Sequence, residues 1–143
     1  LSKRVNKDFQ RIMDSNEYRR IFPSVILPPR GSKYTRSCSL IEIPHHVGSF
    51  RSTGIGGGIT GMGCDILSID DPLKDRQEAN SFTIRERIWD WYTSTAYPRL
   101  SPGGGILVTL TRWHEDDLVG RLLAAMNQGG ADNWTVINYP AIA

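Results

Sequence analysis

Hydrophobic positions along the chain switch between two periods, and the switches predict the elements. From Ser2 to Phe22, Val5, Phe9, Ile12, Met13, Ile21 and Phe22 recur on one side at helical spacing, which predicts a helix ended by Phe22-Pro23. Residues 23–37 hold Pro23, Pro28, Pro29 and Gly31 and read as an irregular connector. Ser39 to Ile43 and Val47 to Ile55 predict a hairpin around Pro44 to Gly48, with Val47, Phe50 and Thr53 inward. The run from Asp65 to Asp70, with Ile66, Leu67 and Ile69, is too short for a helix and predicts a buried strand of parallel type. Glu78 to Thr95 returns to helical period, with Ala79, Phe82, Trp89, Tyr92 and Ala96 on one face and Pro98 at its end. Ser101 to Gly105 reads as a turn, Gly105 to Thr111 as a second buried strand, Leu118 to Met126 as a helix, and Trp134 to Tyr139 as a third strand.

Strands alternating with helices predict βαβ crossovers, hence an α/β fold with a mainly parallel sheet. At 143 residues the chain suits one domain, and no apolar stretch approaches the ~20 residues of a membrane span. Cys38 and Cys64 imply neither a disulfide framework nor a zinc site, which points to a reducing compartment. The net charge of +2 hides an asymmetry: residues 1–36 carry nine Lys/Arg against three acids, and the remainder carries an acidic excess. Such an arm suits nucleic-acid phosphates or simply a solvated helix face.

Open α/β sheets bind ligands at the carboxyl ends of their strands. There the first buried strand ends in Asp70 and Asp71, the second in Thr109, Thr111 and Arg112, and Pro140 to Ala143 follow the third. Paired acids suit a magnesium–triphosphate site, one holding Mg²⁺ through water and the other polarising an attacking water. Asp71-Pro72 also makes a common turn opener, so a capping role stands beside the catalytic one. Arg112 can stabilise a leaving phosphate or pair with Asp116 or Asp117. His114 and Asp117, with Asp116, His45 and His46, offer a metal-dependent hydrolase as an alternative. Gly56, Gly58 and Gly61 form a G-x-G-x-x-G, but it runs into a strand rather than a helix, so it lacks the helix N-terminus of a dinucleotide site. It is either a glycine loop near phosphates or DNA, or a tight connection.

The segments Gly54-IGGGITGMGCDILSIDDPLKDRQEANS-Phe82, Trp89-DWYTSTAYPRLSPGGGILVTLTRWHEDDLVGRL-Leu123 and Trp134-TVINYPAI-Ala143 resemble the large terminase subunit of tailed phages and prophages, the ATP-driven motor that packages DNA into capsids. The resemblance implies a P-loop NTPase-like (ASCE) domain. It casts Asp70 as the Walker B acid on Mg²⁺ and Asp71 in the place of the catalytic acid, commonly glutamate. Thr109 to Thr111 becomes the coupling motif, with Thr109 near the nucleotide and Thr111 and Arg112 beside the chemistry. It implies ATP and Mg²⁺ as cofactors. The implied partners are double-stranded DNA, the portal, the small terminase subunit and further copies of the chain, in the host cytoplasm and transiently at the procapsid, without a membrane. No G-x-x-x-x-G-K-[ST] occurs, so the Walker A portion is missing. The chain then reads as the C-terminal part of an ATPase domain, with 1–37 a basic helix and connector and 38–143 the Walker B and coupling core. On that basis the isolated chain is expected to be inactive. A non-catalytic DNA-binding or portal-docking module is the alternative.

Overall fold

The N-terminal apolar stripe is cut by a serine. In the computed structural model, which describes residues 2–59, 61–129 and 132–139, α1 (Ser2–Met13) stops and α2 (Asn16–Ile21) restarts. Ser15 lies extended between them, and its Oγ accepts the Tyr18 N–H at 3.2 Å. A hydroxyl that can satisfy an orphan helix donor competes with helix continuation. The single helix expected over 2–22 is therefore two. Its stripe thins as well: Met13 is buried with Leu27 and Ile41, and Phe9 packs on that cluster, whereas Val5, Ile12, Ile21 and Phe22 stay exposed.

The hairpin forms as expected but shorter, with β1 (Leu40–Glu42) antiparallel to β2 (Ser49–Arg51) and Ile41 opposite Phe50. Phe50 stacks on Phe9 with ring centroids 4.1 Å apart, which fastens the hairpin to α1. Val47 falls in the loop between the strands and is fully exposed, not inward. Arg36 ties the proline-rich connector to α1 by donating to Gln10 Oε1, to the Pro28 carbonyl and to the Asp14 carboxylate. These contacts lie within the first of two compact units, Leu1–Gly58 and Ile59–Ala143. The hairpin shares its core with the helices that precede it.

In the second unit β3 (Cys64–Asp70) pairs parallel with β4 (Leu100–Thr109), from Ile66 opposite Gly105 to Asp70 opposite Thr109. Cys64 faces Leu100, so two steps along β3 correspond to five along β4, and Ser101 to Gly104 bulges out. Gly103 supplies a φ of 79° for that bulge, so the expected turn is absorbed into the strand. The pair is buried on one side only. Ile69 is buried and Leu67, Ile106 and Val108 are partly so, whereas Ile66 and Leu107 are 76% and 59% exposed.

The crossover between the strands carries α3 (Arg76–Asn80) and α4 (Phe82–Trp91), then a π turn over Tyr92–Ala96 and a 3₁₀ turn over Tyr97–Arg99. Ser81 ends α3 and caps α4 by accepting the Ile84 N–H, which divides the single helix expected. Ala79, Ile88, Tyr92 and Ala96 are buried, but Phe82, placed on the inner face by its spacing, is mostly exposed. Helix α5 (Leu118–Asn127) buries Leu118 and Leu122 as expected.

Trp134 to Tyr139 does not form the third strand. Among the described residues, 132–139 find no backbone pairing partner, and Val136, Ile137 and Tyr139 are exposed; a strand exists only through its ladder. Pro140 to Ala143 lie outside the described residues. Among the described residues the fold is thus mixed α/β, with one parallel and one antiparallel two-stranded sheet. No described helix is long and apolar enough to cross a membrane.

Candidate functional site

The parallel register alone brings four of the five predicted residues together. Asp70 and Thr109 are cross-strand partners at the carboxyl ends of β3 and β4. One residue on, the chain binds itself twice: the Asp71 N–H donates to the Thr109 carbonyl at 2.9 Å, and the Thr111 N–H donates to Asp71 Oδ1 at 3.1 Å. Asp71 has φ of 40°, in the left-handed region that costs a residue with a Cβ on the order of 1 kcal/mol. Aspartate tolerates that region better than most, because its short carboxylate can bond locally, as it does to Thr111. Pro72 is buried behind it and Leu73 packs inward, so the strained turn is anchored on its far side. Asp71 therefore serves the turn that sequence reasoning offered as its plainer role, and still presents an exposed carboxylate at the strand ends.

Asp70 differs from its neighbour. Its side chain is exposed, and no hydrogen bond or ion pair engages it among the described residues. An uncommitted carboxylate beside a hydroxyl fits a magnesium ion, which keeps most of its waters and needs one or two acids. Thr109 lies opposite Asp70 in the register, and Asp70 is the residue that could hold such an ion through water.

Arg112 is drawn elsewhere. Its Nε donates to Asp117 Oδ2 at 2.6 Å, and an Nη donates to the Glu115 carbonyl at 3.3 Å. Asp117 is completely buried and caps α5, its Oδ1 accepting the Gly120 N–H at 2.8 Å. Gly120 has to be glycine, since a Cβ there would sit 1.8 Å from the Glu115 carbonyl oxygen. Of the two roles weighed for Arg112, the ion pair with Asp117 is the one present, although the side chain stays 45% exposed.

Asp116 is equally committed. Arg121 chelates both its oxygens at 2.7 and 2.9 Å, and Arg85 donates to Oδ2 at 3.0 Å. The Arg121 bonds, opposed by burial and aided by Arg85, hold this carboxyl far below the usual range. Arg121 also pairs with Glu86 and lies over the Trp89 ring, so the cluster clamps α4 to α5. Asp116 was considered as a metal ligand, and Arg85, Glu86 and Arg121 were not singled out at all; only the Asp116–Arg121 proximity in sequence could have hinted at the cluster. His114 Nδ1 accepts the Asp116 N–H at 3.0 Å. Among the described residues no group of three or more His, Cys, Asp or Glu side chains is arranged to hold a metal ion. The carboxylates of the metal-hydrolase alternative are held by arginines.

In the glycine stretch the Gly57 N–H donates to the Gly54 carbonyl, and the next described element is the strand β3 rather than a helix.

Residues 7–143 match the family described as terminase large subunit, T4likevirus-type, N-terminal. The comparison with curated proteins gave no match. The family description names the N-terminal part of the subunit, not the C-terminal part of an ATPase domain that the resemblance implied. With nearly the whole chain matched, this protein belongs to the terminase large subunit family, T4likevirus-type, as N-terminal sequence of a phage DNA-packaging subunit.

Proposed function

We propose that this chain is part of the ATP-hydrolysing motor that translocates viral double-stranded DNA into procapsids, in a P-loop NTPase-like (ASCE) domain with its chemistry at the carboxyl ends of β3 and β4. One observation carries the reading: the parallel register sets Asp70 opposite Thr109, while Asp71, at positive φ, is bonded to Thr111. Backbone strain at the mouth of a parallel sheet, beside an uncommitted acid, is the kind of investment found at functional sites.

In this reading Asp70 would hold Mg²⁺ through water with Thr109 near the nucleotide, and the ion would neutralise triphosphate charge. Asp71 is the acid that takes the proton of the attacking water. Its hydrogen bond from the Thr111 N–H fixes where the carboxylate points. Thr111 joins that acid to Arg112, and Arg112 joins the cap of α5, so a shift at the acid is passed to a helix through two bonded steps. Arg112 is a positioning residue here, with its exposed side turned to solvent and available to charge.

These 143 residues contain no Gly-Lys-Ser/Thr phosphate loop, whose backbone N–H groups and lysine supply most triphosphate affinity. The chain alone is expected to turn over ATP poorly. Portal, small terminase subunit and further copies of the chain are the proposed partners, in host cytoplasm and at the procapsid.

The test is ATP hydrolysis by a large subunit that carries this segment together with a phosphate loop, beside Asp70→Asn and Asp71→Asn. Turnover that needs Mg²⁺ and falls at least ~100-fold in both variants is expected. Activity indifferent to both substitutions would overturn the site, and absence of turnover in the parent protein would overturn the motor.

A further inference from the structure

The N-terminal unit holds a second feature that the strand-end chemistry leaves unused. Lys7, Gln10, Arg30, Arg36, Ser37 and Cys38 line an open cleft of about 380 Å³ between α1, the proline-rich connector and the approach to β1. Three of the six are cations, and they are not equivalent. Arg36 is a fixed wall: its side chain is 16% exposed and held by Gln10, the Pro28 carbonyl and Asp14. Three of its five N–H donors are thus spent and two remain. Burial raises the Asp14 carboxyl pKa, but hydrogen bonds from Arg36 and Arg19 outweigh it and leave the acid charged and neutralised. Lys7 and Arg30 are exposed, and no hydrogen bond or ion pair engages either of them among the described residues. By contrast Arg4, Arg11 and Arg19, on the same basic arm, are paired with Asp8 or Asp14.

We propose that this cleft binds a phosphate group, with Lys7 and Arg30 as its mobile cations and Arg36 as its preorganised donor. Two uncompensated cations facing one concavity, beside a rigid guanidinium with donors to spare, match an anion that carries several acceptor oxygens. The Ser37 hydroxyl at the rim, which already joins Leu40, adds polarity without an opposing charge. No carboxylate lines the cleft to repel a phosphate. The basic arm is thus not uniform: Arg4, Arg11 and Arg19 are paired to its own acids, whereas Lys7, Arg30 and Arg36 line the cleft. A nucleic-acid backbone and a free phosphate compound present the same chemistry. The site uses residues of the N-terminal unit only.

The test uses the 143-residue chain and a fluorescent 20-base-pair DNA duplex, read by anisotropy at several salt concentrations, with pyrophosphate as the small probe. The Lys7→Ala/Arg30→Ala variant alters exposed residues only. Lys3→Ala/Arg20→Ala removes two exposed, unpaired charges outside the cleft and is its charge-matched control. At low salt the cleft variant is expected to bind the duplex at least tenfold more weakly, with its log–log salt slope reduced by about 2, and the control to lose less than about threefold. Binding of pyrophosphate with the same variant sensitivity would mark a site for isolated phosphates; duplex binding alone would mark a backbone site. Equal losses in the two variants, or no binding of either probe by the native chain, would overturn the proposal. Failure here would leave Asp70 and Asp71 untouched, and failure of the ATPase test would leave the cleft standing.

Discussion

The second unit contains two pairs of adjacent aspartates, and they have been put to opposite uses. Asp116 and Asp117 give every oxygen to an arginine or a helix N–H, and one of them is completely buried. Asp70 and Asp71 lie exposed at the ends of two parallel strands, one uncommitted and the other held by a single backbone N–H at a strained φ. As text the pairs look alike: both follow a short apolar or polar lead and precede a helix. The difference is what arrives from elsewhere in the chain. Arg85 reaches Asp116 from 31 residues away, whereas no described cation reaches the first pair. A committed acid pair holds a fold together, and an uncommitted one is free for chemistry.

The contrast breaks first at Asp117. Alanine there removes the cap of α5 and the partner of Arg112 together, and is expected to destabilise the unit by ~3 kcal/mol, below the full cost of a buried pair because Arg112 is half exposed. Thermal or denaturant unfolding would measure it, and a loss under ~1 kcal/mol would mean that Asp117 is no more structural than Asp70. Next comes Gly120→Ala. Its Cβ would collide with the Glu115 backbone, so the turn holding Arg112 must move, at ~2 kcal/mol. Unlike Asp117→Ala it keeps every charge, so similar losses in the two would locate the cost in turn geometry rather than in the ion pair.

How much of this was legible depended on the range of the interaction. The parallel pairing of β3 and β4 and the placement of Asp70, Asp71, Thr109 and Thr111 at one edge followed from short apolar runs ending in polar residues, a local signal. Ser15 and Ser81 each cut a helix that periodicity ran straight through, because a cap competes on terms that a count of apolar spacing does not weigh. The strand expected over Trp134 to Tyr139 had the right composition and no partner among the described residues. The Arg85–Asp116–Arg121–Glu86 cluster could not be read in advance, since Arg85 and Glu86 look like a solvated helix face until α5 is set beside them.

Asp116→Asn has the next effect in size. The Asp116 side chain is 38% exposed, so solvent screens its pairing and the loss at neutral pH should be only ~1 kcal/mol. Its pH dependence is sharper evidence. The folded-state pKa of Asp116 is depressed, so its contribution is complete above the unfolded carboxylate range near pH 4 and is lost as pH falls through the lower folded value. Unfolding followed from pH 6 to pH 2 should show the native chain losing stability faster than the Asn variant below about pH 4. Parallel acid limbs in the two proteins would mean that the arginine clamp does not discriminate the charged form.

The smallest effects on stability belong to the first pair, and their smallness is the point. Asp70→Asn removes a charge that bonds to nothing and should change stability by less than ~0.5 kcal/mol. Asp71→Asn keeps an acceptor for the Thr111 N–H and tolerates positive φ, so it too should fall within about 0.5 kcal/mol. Asp71→Gly removes strain of the order of 1 kcal/mol but also a hydrogen bond of similar worth, and should come out close to neutral. Asp71→Val keeps the Cβ, adds branching in the left-handed region and loses the acceptor, so a cost of ~2 kcal/mol is expected. If the Gly, Asn and Val variants unfold alike, the φ of 40° stores no strain, and the observation carrying the functional reading loses its force. If Gly and Asn are neutral while Val is costly, and Asp70→Asn is silent in unfolding yet abolishes turnover in the phosphate-loop-bearing subunit, the two acid pairs are separated: one is needed to fold and the other to act.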